Sequence, residues 1–149
     1  MKRDEIKQLL PHREPMLLVD EMEIDENKIA HGKYTVKGDE HFLQGHFPGH
    51  PVVPGVILCE IMGQCSALLV QEHLVGKTPF FTGMDKVRFP ASVYPGDTIE
   101  VTGSIAMSRG MFFFIDAKAE VRGKLCSEAR LSFALVDNNK LDEREAAAK

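Results

Sequence analysis

The stretch from Pro54 to Val75 is apolar on almost every side when it is read with helical periodicity. Pro54 suits the opening of a helix, and Gly76, directly after the stretch, is typical of a helix end. Glu60 and Gln64 interrupt the apolar run, which argues against a membrane span. A helix that is apolar all round is one surrounded by protein. The sequence therefore predicts one long helix over residues 54–75 at the centre of the fold.

The second half of the chain alternates between apolar and polar residues with a period of two. The alternation runs through three segments separated by glycine-containing turns, namely 97–108, 111–121 and 125–135. Three long strands joined by tight turns form an antiparallel meander with one buried face. Weaker strand patterns cover 16–24, 28–37 and 80–89.

A buried helix and an antiparallel sheet pack economically when the sheet curls around the helix. We therefore expect an α+β fold in which a curved antiparallel sheet of about five or six strands wraps one long central helix. One sheet covers only one side of such a helix, so a second copy of the chain is expected to cover the other side. Residues 1–136 are expected to form this single domain, with a short helix at 4–10 and a loop over 38–54. The polar stretch 137–149 is expected to be a frayed tail or a short helix.

Composition limits the class of protein. Of 149 residues, 44% are hydrophobic and 27% are charged, as in an ordinary globular domain. The net charge of −4 gives no general attraction to nucleic acid or to an anionic membrane, and we expect neither as a partner. Cys59, Cys65 and Cys126 are too few for a disulfide framework and are interpreted as free thiols. The start, MKRDEIKQLLPHREP, lacks the apolar core of a signal peptide, so we expect a cytoplasmic location.

Glu60 and Gln64 are unusual residues for an apolar helix. They are four residues apart and share one face of the helix. Glu60 lies beyond the first turn, where the helix dipole no longer explains a carboxylate. A buried carboxyl group either finds partners or becomes protonated. Glu60 is thus either a structural, paired or solvated carboxylate or a general acid.

His46 is the candidate base. It lies between Gly45 and Phe47-Pro48 in a loop whose backbone is restrained. The loop leads into the helix start at Pro54-Gly55, where free N–H groups can approach a carbonyl oxygen. A base, an acid and an oxyanion donor within one short stretch are the groups that proton-transfer chemistry needs.

Two other interpretations of this loop stay open. One is a histidine that merely packs against Phe47. The other is a metal site, because imidazole and carboxylate ligands suit zinc or iron, although the spacing fits none of the common metal motifs. The residues available for it are His41, His46, His50, Asp39 and Glu40.

The stretch GHFPGHPVVPGVILCEIMGQ strongly resembles the signature of the β-hydroxyacyl-acyl carrier protein dehydratases of bacterial fatty-acid synthesis. Three further segments are similar to that family: LPHREPMLLVD (10–20), FFTGMDKVRF (80–89) and PGDTIEV (95–101). The resemblance extends over the chain to about Val136. It implies a hot-dog fold, homodimers that often assemble as trimers of dimers, and active sites at the dimer interface.

The resemblance also implies roles for single residues. His46 matches the catalytic histidine, and Glu60, from the partner subunit, matches the catalytic acid. Gly55 matches the glycine whose N–H polarises the thioester carbonyl, with Val56 beside it. Gln64 matches the glutamine that holds the acid. Related dehydratase/isomerases carry Asp at the position of Glu60, so Glu favours the dehydratase-only branch.

Two residues depart from the family pattern. Gly63 stands where Ala is usual, and we expect it to widen the space beside the acyl chain. His50 stands where Arg or Lys is common, which bears on how strongly the loop attracts an acidic carrier.

The implied reaction is an elimination of water by acid–base chemistry, for which we expect no metal and no organic cofactor. The expected partner is an acyl carrier protein that presents the substrate on a phosphopantetheine arm. Two alternatives are a hot-dog thioesterase, in which Glu60 activates water, and an acyl-chain binding module without enzymatic activity.

Overall fold

Six strands form one antiparallel sheet in the order β1-β2-β4-β5-β6-β3. The computed structural model describes residues 1–148. The strands are β1 (Glu21–Ile24), β2 (Ala30–Thr35), β3 (Lys77–Arg88), β4 (Thr98–Arg109), β5 (Phe112–Val121) and β6 (Lys124–Asp137). The helices are α1 (Arg3–Leu9), α2 (Gly55–Cys65) and α3 (Asn138–Ala148), with 3₁₀ helices at His41–Leu43 and Ala67–His73.

The meander predicted from the alternating pattern is confirmed. Strands β4, β5 and β6 pair with their neighbours in sequence, and Gly110 and Gly123 take positive φ values at the two connections, as tight hairpin turns require. Along β5 every second residue from Phe113 to Val121 is buried, and this face packs with α2 in the core. The α+β architecture of a six-stranded sheet and a central helix follows the prediction.

The prediction of one continuous helix over 54–75 is wrong. Helix α2 ends at Cys65, and the chain continues as a 3₁₀ helix over Ala67–His73 that is bent from α2 by 48°. At the break Ser66 Oγ donates a hydrogen bond to the Met62 carbonyl (2.8 Å), a contact that often bends helices. Gly103 of β4 lies against Ser66, because a Cβ at Gly103 would be 2.5 Å from Ser66 Oγ.

No single helix among residues 1–148 is long and apolar enough to span a membrane. Only α2 and the 3₁₀ helix after it, taken together across their bend, reach that length and composition.

The strand predicted over 16–24 is shorter than expected, because β1 begins only at Glu21. The preceding residues Leu17, Leu18 and Val19 are buried but irregular. Side chains rather than a neighbouring strand bond to their backbone: Arg3 donates to the carbonyls of Leu17 and Val19, and Leu18 N–H donates to Gln64 Oε1 (2.8 Å). This contact joins the N-terminal segment to α2 at the residue predicted to hold the acid.

Strand β3 is an edge of the sheet, since it pairs with β6 on one side only. Large apolar side chains on and next to this edge are exposed in the single chain, namely Phe80, Phe81, Met84 and Phe89. Helix α2 adds Val56, which is 66% exposed. An unpaired edge beside exposed apolar side chains is typical of a surface that another chain covers.

Candidate active site

Gln64 is 2% exposed and uses both ends of its amide. Its Oε1 accepts a hydrogen bond from Leu18 N–H (2.8 Å), and its Nε2 donates to the Met16 carbonyl (2.8 Å) and to Glu60 Oε2 (2.7 Å). An N–H can only donate and a carbonyl can only accept, so the N-terminal segment fixes the orientation of the amide. Gln64 therefore meets Glu60 as a donor and holds one carboxyl oxygen in place.

Glu60 has a second neighbour, the imidazole of His12. His12 Nε2 lies 3.4 Å from the same Oε2 atom, and His12 Nδ1 is buried without a hydrogen-bond partner among residues 1–148. His12 belongs to the segment LPHREPMLLVD, whose resemblance to the family was the only signal for it. Both neighbours approach Oε2, so Oε1 is the oxygen left to face a ligand.

The environment of Glu60 contains opposing effects on its pKa. Burial raises the pKa, but the imidazole of His12 and the amide of Gln64 lower it more, and the net pKa lies below the ordinary value. A buried carboxyl group was expected either to find partners or to become protonated. In the single chain Glu60 has partners, and its charged form is favoured.

Replacing His12 with leucine is expected to raise the pKa of Glu60. The apolar side chain keeps water away from the carboxyl group but removes one of the two groups that lower its pKa. Burial, which raises the pKa, is then opposed by Gln64 alone. Nuclear magnetic resonance titration of the Glu60 carboxyl carbon measures the change. The control is His31→Leu, because His31 contacts Asp25 (2.8 Å) instead and its loss leaves Glu60 unchanged. A Glu60 pKa that stays constant or falls in His12→Leu shows that His12 does not lower the pKa of Glu60.

Glu60, Gln64 and His12 form the polar end of a largely apolar pocket. One wall is a single stripe of the central helices, formed by Glu60, Gly63, Gln64, Ala67, Val70 and Leu74. The opposite wall comes from strands β3, β5 and β6 and consists of Pro79, Phe81, Phe113, Ile115, Phe133 and Leu135. The pocket thus has an acidic group at one end and apolar side chains along the central helices.

The loop holds the imidazole of His46 in one orientation. Its Nδ1 is 2.9 Å from the Val52 carbonyl oxygen, and Val52 N–H donates back to the His46 carbonyl (2.9 Å). A carbonyl oxygen accepts only, so Nδ1 carries the hydrogen and Nε2 of the neutral ring keeps its lone pair. The ring stacks on Phe47 with centroids 4.2 Å apart. His46 is thus prepared to accept a proton at Nε2.

The single chain does not bring His46 and Glu60 together. His46 bonds to Val52 and Glu60 bonds to Gln64. His46 is absent from the lining of the pocket that contains Glu60. One chain therefore supplies the two predicted catalytic groups at two separate places.

Gly55 begins α2, directly after Pro54. The first helical bonds to the Pro54 carbonyl come from Ile57 and Leu58. The N–H groups of Gly55 and Val56 make no hydrogen bond within residues 1–148 and remain available. The ring of Phe89 covers Gly55, where a Cβ would lie 3.1 Å from three ring carbons. Any larger residue at this position would push Phe89 away from the helix start.

The residues considered for a metal site do not assemble into one. Among residues 1–148 no group of three or more His, Cys, Asp or Glu side chains is placed to hold a metal ion. Cys59, Cys65 and Cys126 are buried free thiols, and burial raises the pKa of each of them. All three pack in the core, and their interpretation as free thiols is confirmed.

Residues 10–130 match the model of the FabA-like domain. The chain belongs to this family. It is 47% identical over 138 residues to the 3-hydroxyacyl-[acyl-carrier-protein] dehydratase FabZ of Clostridium perfringens, covering 91% of this chain and 99% of the relative. A protein of the same name from Caldicellulosiruptor saccharolyticus is 47% identical over 133 residues, covering 87% of this chain and 95% of the relative. The resemblance found in the sequence motifs is thereby confirmed.

Solved structures of low sequence identity share the fold. A chain of the dehydratase heterocomplex ApeI:P from Xenorhabdus doucetiae superposes with a TM-score of 0.77 at 20% identity, covering 93% of this chain and 95% of that chain. A Thermus thermophilus member of the thioesterase superfamily superposes with a TM-score of 0.68 at 18% identity, covering 85% and 93% of the two chains. At these identities the likeness concerns the fold alone.

Proposed function

We propose that the protein is a 3-hydroxyacyl-acyl carrier protein dehydratase, a lyase that converts (3R)-3-hydroxyacyl chains to trans-2-enoyl chains in type II fatty-acid biosynthesis. The observation that carries the proposal is the Gln64–Glu60 pair at the polar end of an apolar pocket. A pocket of this kind places a carboxyl group beside the reacting carbons and the acyl tail among apolar side chains. The FabZ dehydratases that share 47% of residues with this chain support the same substrate class.

In the proposed reaction His46 Nε2 removes a proton from the α-carbon of the thioester. Negative charge then develops on the thioester oxygen, and the free N–H of Gly55, beside that of Val56, is directed at it. Such donors act most strongly where charge develops in the transition state. As the α,β double bond forms, the bond from the β-carbon to the hydroxyl oxygen breaks, and Glu60 gives its proton so that water leaves. The proton held by His46 then returns through solvent to restore Glu60.

Glu60 must carry a proton to act as the acid, whereas in the single chain His12 and Gln64 favour its charged form. We propose that the loop of a second chain, together with the acyl substrate, closes over Glu60. Further burial opposes ionisation of a carboxyl group. Oε1, which has neither neighbour, is the oxygen that would hold the proton.

The second chain is proposed to be another copy of the same polypeptide. Edge strand β3 has unpaired backbone groups, and the side chains that it and α2 expose are apolar. Pairing two copies along this edge would cover Val56 and bring the His46 loop of one chain to Glu60 of the other. The two groups that the single chain keeps apart would then complete one site.

Dimers of this kind are proposed to assemble further, as trimers of dimers. A second group of exposed apolar side chains supports a further contact, at the ends of β4 and β5 and in the turn between them: Ile105, Met107, Met111 and Phe112.

The acyl carrier protein is proposed to deliver its phosphopantetheine arm at the completed site. Because related dehydratase/isomerases carry Asp at the position of Glu60, the protein is proposed to dehydrate its substrate without isomerising the product. The cytoplasm is its proposed location.

Incubation with a 3-hydroxybutyryl thioester tests the function. We expect the enoyl-thioester absorbance to rise until hydration equilibrium is reached, without release of free thiol. Release of thiol with no enoyl signal would identify a thioesterase. Binding with neither change would identify an acyl-chain binding module. Either of these two results contradicts the proposal.

A further inference from the structure

Three phenylalanines form a row across the sheet opposite the central helices. Phe81 of β3 is the register partner of Phe133 of β6, and Phe133 is the partner of Phe113 of β5. The rings of Phe81 and Phe133 pack with centroids 4.5 Å apart. All three side chains line the pocket that has Glu60 at its polar end.

The row reaches the helix at Gly63. A Cβ at this position would lie 3.0 Å from Cζ of Phe81 and 3.0 Å from Cζ of Phe133. The two ring tips are therefore in contact with the helix surface, and they come this close because residue 63 has no side chain. Gly63 leaves no gap beside these rings, contrary to the expectation that it widens the pocket, since a methyl group there would lie a few tenths of an ångström too close to both ring tips.

The contact lies close to the chemistry. Gly63 is three residues beyond Glu60, a rise of about 4.5 Å along the helix. Past Gly63 the pocket continues between Ala67, Val70 and Leu74 on the helix side and Pro79 and Leu135 on the sheet side. An acyl chain that starts at Glu60 thus meets the ring pair before it can reach this distal, wholly apolar part.

We propose that the Phe81–Phe133 pair, seated against Gly63, sets the length of acyl chain that the enzyme prefers. A short acyl chain ends before the rings and binds without disturbing them. A long chain has to displace the rings from Gly63 to enter the distal part, at a cost in transition-state stabilisation. This inference rests on the proposed dehydratase function, because the substrate must carry an acyl chain anchored at Glu60.

The test compares kcat/KM for four-carbon and twelve-carbon 3-hydroxyacyl-acyl carrier proteins in wild type and in Phe81→Ala. Removing the ring is expected to raise the ratio of long-chain to short-chain activity by about tenfold or more, since a change of one methylene in an apolar pocket already alters discrimination by roughly tenfold. The matched control is Phe80→Ala. Phe80 is the adjacent residue of the same edge strand and is similarly exposed, but it does not line the pocket.

The outcomes are distinct. A ratio that rises in Phe81→Ala and stays at the wild-type value in Phe80→Ala supports the proposal. A ratio that is unchanged or lower in Phe81→Ala, or that rises equally in both variants, overturns it. If Phe81→Ala fails to fold, Phe81→Leu decides the question, with a smaller rise as the supporting result and no rise as the contrary one. Wild type that dehydrates neither substrate refutes the dehydratase function and, with it, this inference.

Discussion

Replacing His46 with alanine is expected to lower kcat/KM for dehydration by about 10²- to 10⁴-fold, the usual contribution of a general base. His46 Nδ1 is held by the Val52 carbonyl, so Nε2 is the proton-accepting atom that the substitution removes. The assay uses a small 3-hydroxyacyl thioester, which removes any contribution of the loop to carrier binding. Because the loop side chain adds one half-buried hydrogen bond, the free energy of unfolding is expected to fall by only about 0.5–1.5 kcal/mol.

His50→Ala is the matched control for this prediction. His50 lies in the same loop and is exposed. Its backbone bonds to Phe47 do not depend on the side chain. This variant is expected to retain turnover of the small thioester within a few-fold of wild type. A folded His46→Ala protein with near-normal turnover, or an equal loss in His50→Ala, removes His46 from the role of base.

The sheet could be predicted because its pattern is local. In β5 Ile115 and Ala117 are buried, whereas Asp116 lies on the other face and pairs with Arg130 across to β6 (2.8 Å). A period of two encodes this alternation in neighbouring residues, so no knowledge of distant contacts is needed. The same holds for the turns at Gly110 and Gly123, where the residue type itself permits the backbone conformation.

The errors arise where distant residues decide the local structure. The helix breaks at Ser66, where Gly103 of β4 allows a close approach that helical periodicity does not reveal. Leu17–Val19 have the composition of a strand, but Leu18 N–H bonds to Gln64, and the Leu17 and Val19 carbonyls accept hydrogen bonds from Arg3. Gly63 was expected to open the pocket, yet Phe81 and Phe133 approach it from two strands far along the chain.

Part of the candidate site could be predicted from the sequence and part could not. His46, Glu60 and the start of α2 could be proposed from a restrained loop and from a carboxyl group in an apolar helix. The sequence did not indicate that His12 lies beside Glu60, because this contact depends on how the N-terminal segment packs on α2. The lowering of the Glu60 pKa depends on that contact, so the sequence could not predict it either.

Mixing two inactive variants is expected to restore activity, because each proposed site takes His46 from one chain and Glu60 from the other. His46→Ala lacks the base in every site, and Glu60→Gln lacks the acid, so each variant alone is expected to be inactive. The single chain places the two groups apart, with Glu60 in the pocket and His46 outside its lining. A dimer that contains one chain of each kind has one site with both residues intact and one site with neither.

Random pairing at equal concentrations makes about half of the dimers hybrids. With one complete site in each hybrid, roughly a quarter of wild-type activity is expected if the sites act independently. Subunit exchange is verified by mass spectrometry of differently tagged chains, and the control mixes His46→Ala with a His46→Ala/Glu60→Gln double variant, in which no complete site can form. A fully exchanged mixture of the two single variants that stays inactive shows that each site is built within one chain. The separation of His46 and Glu60 would then have to close by movement of the His46 loop itself.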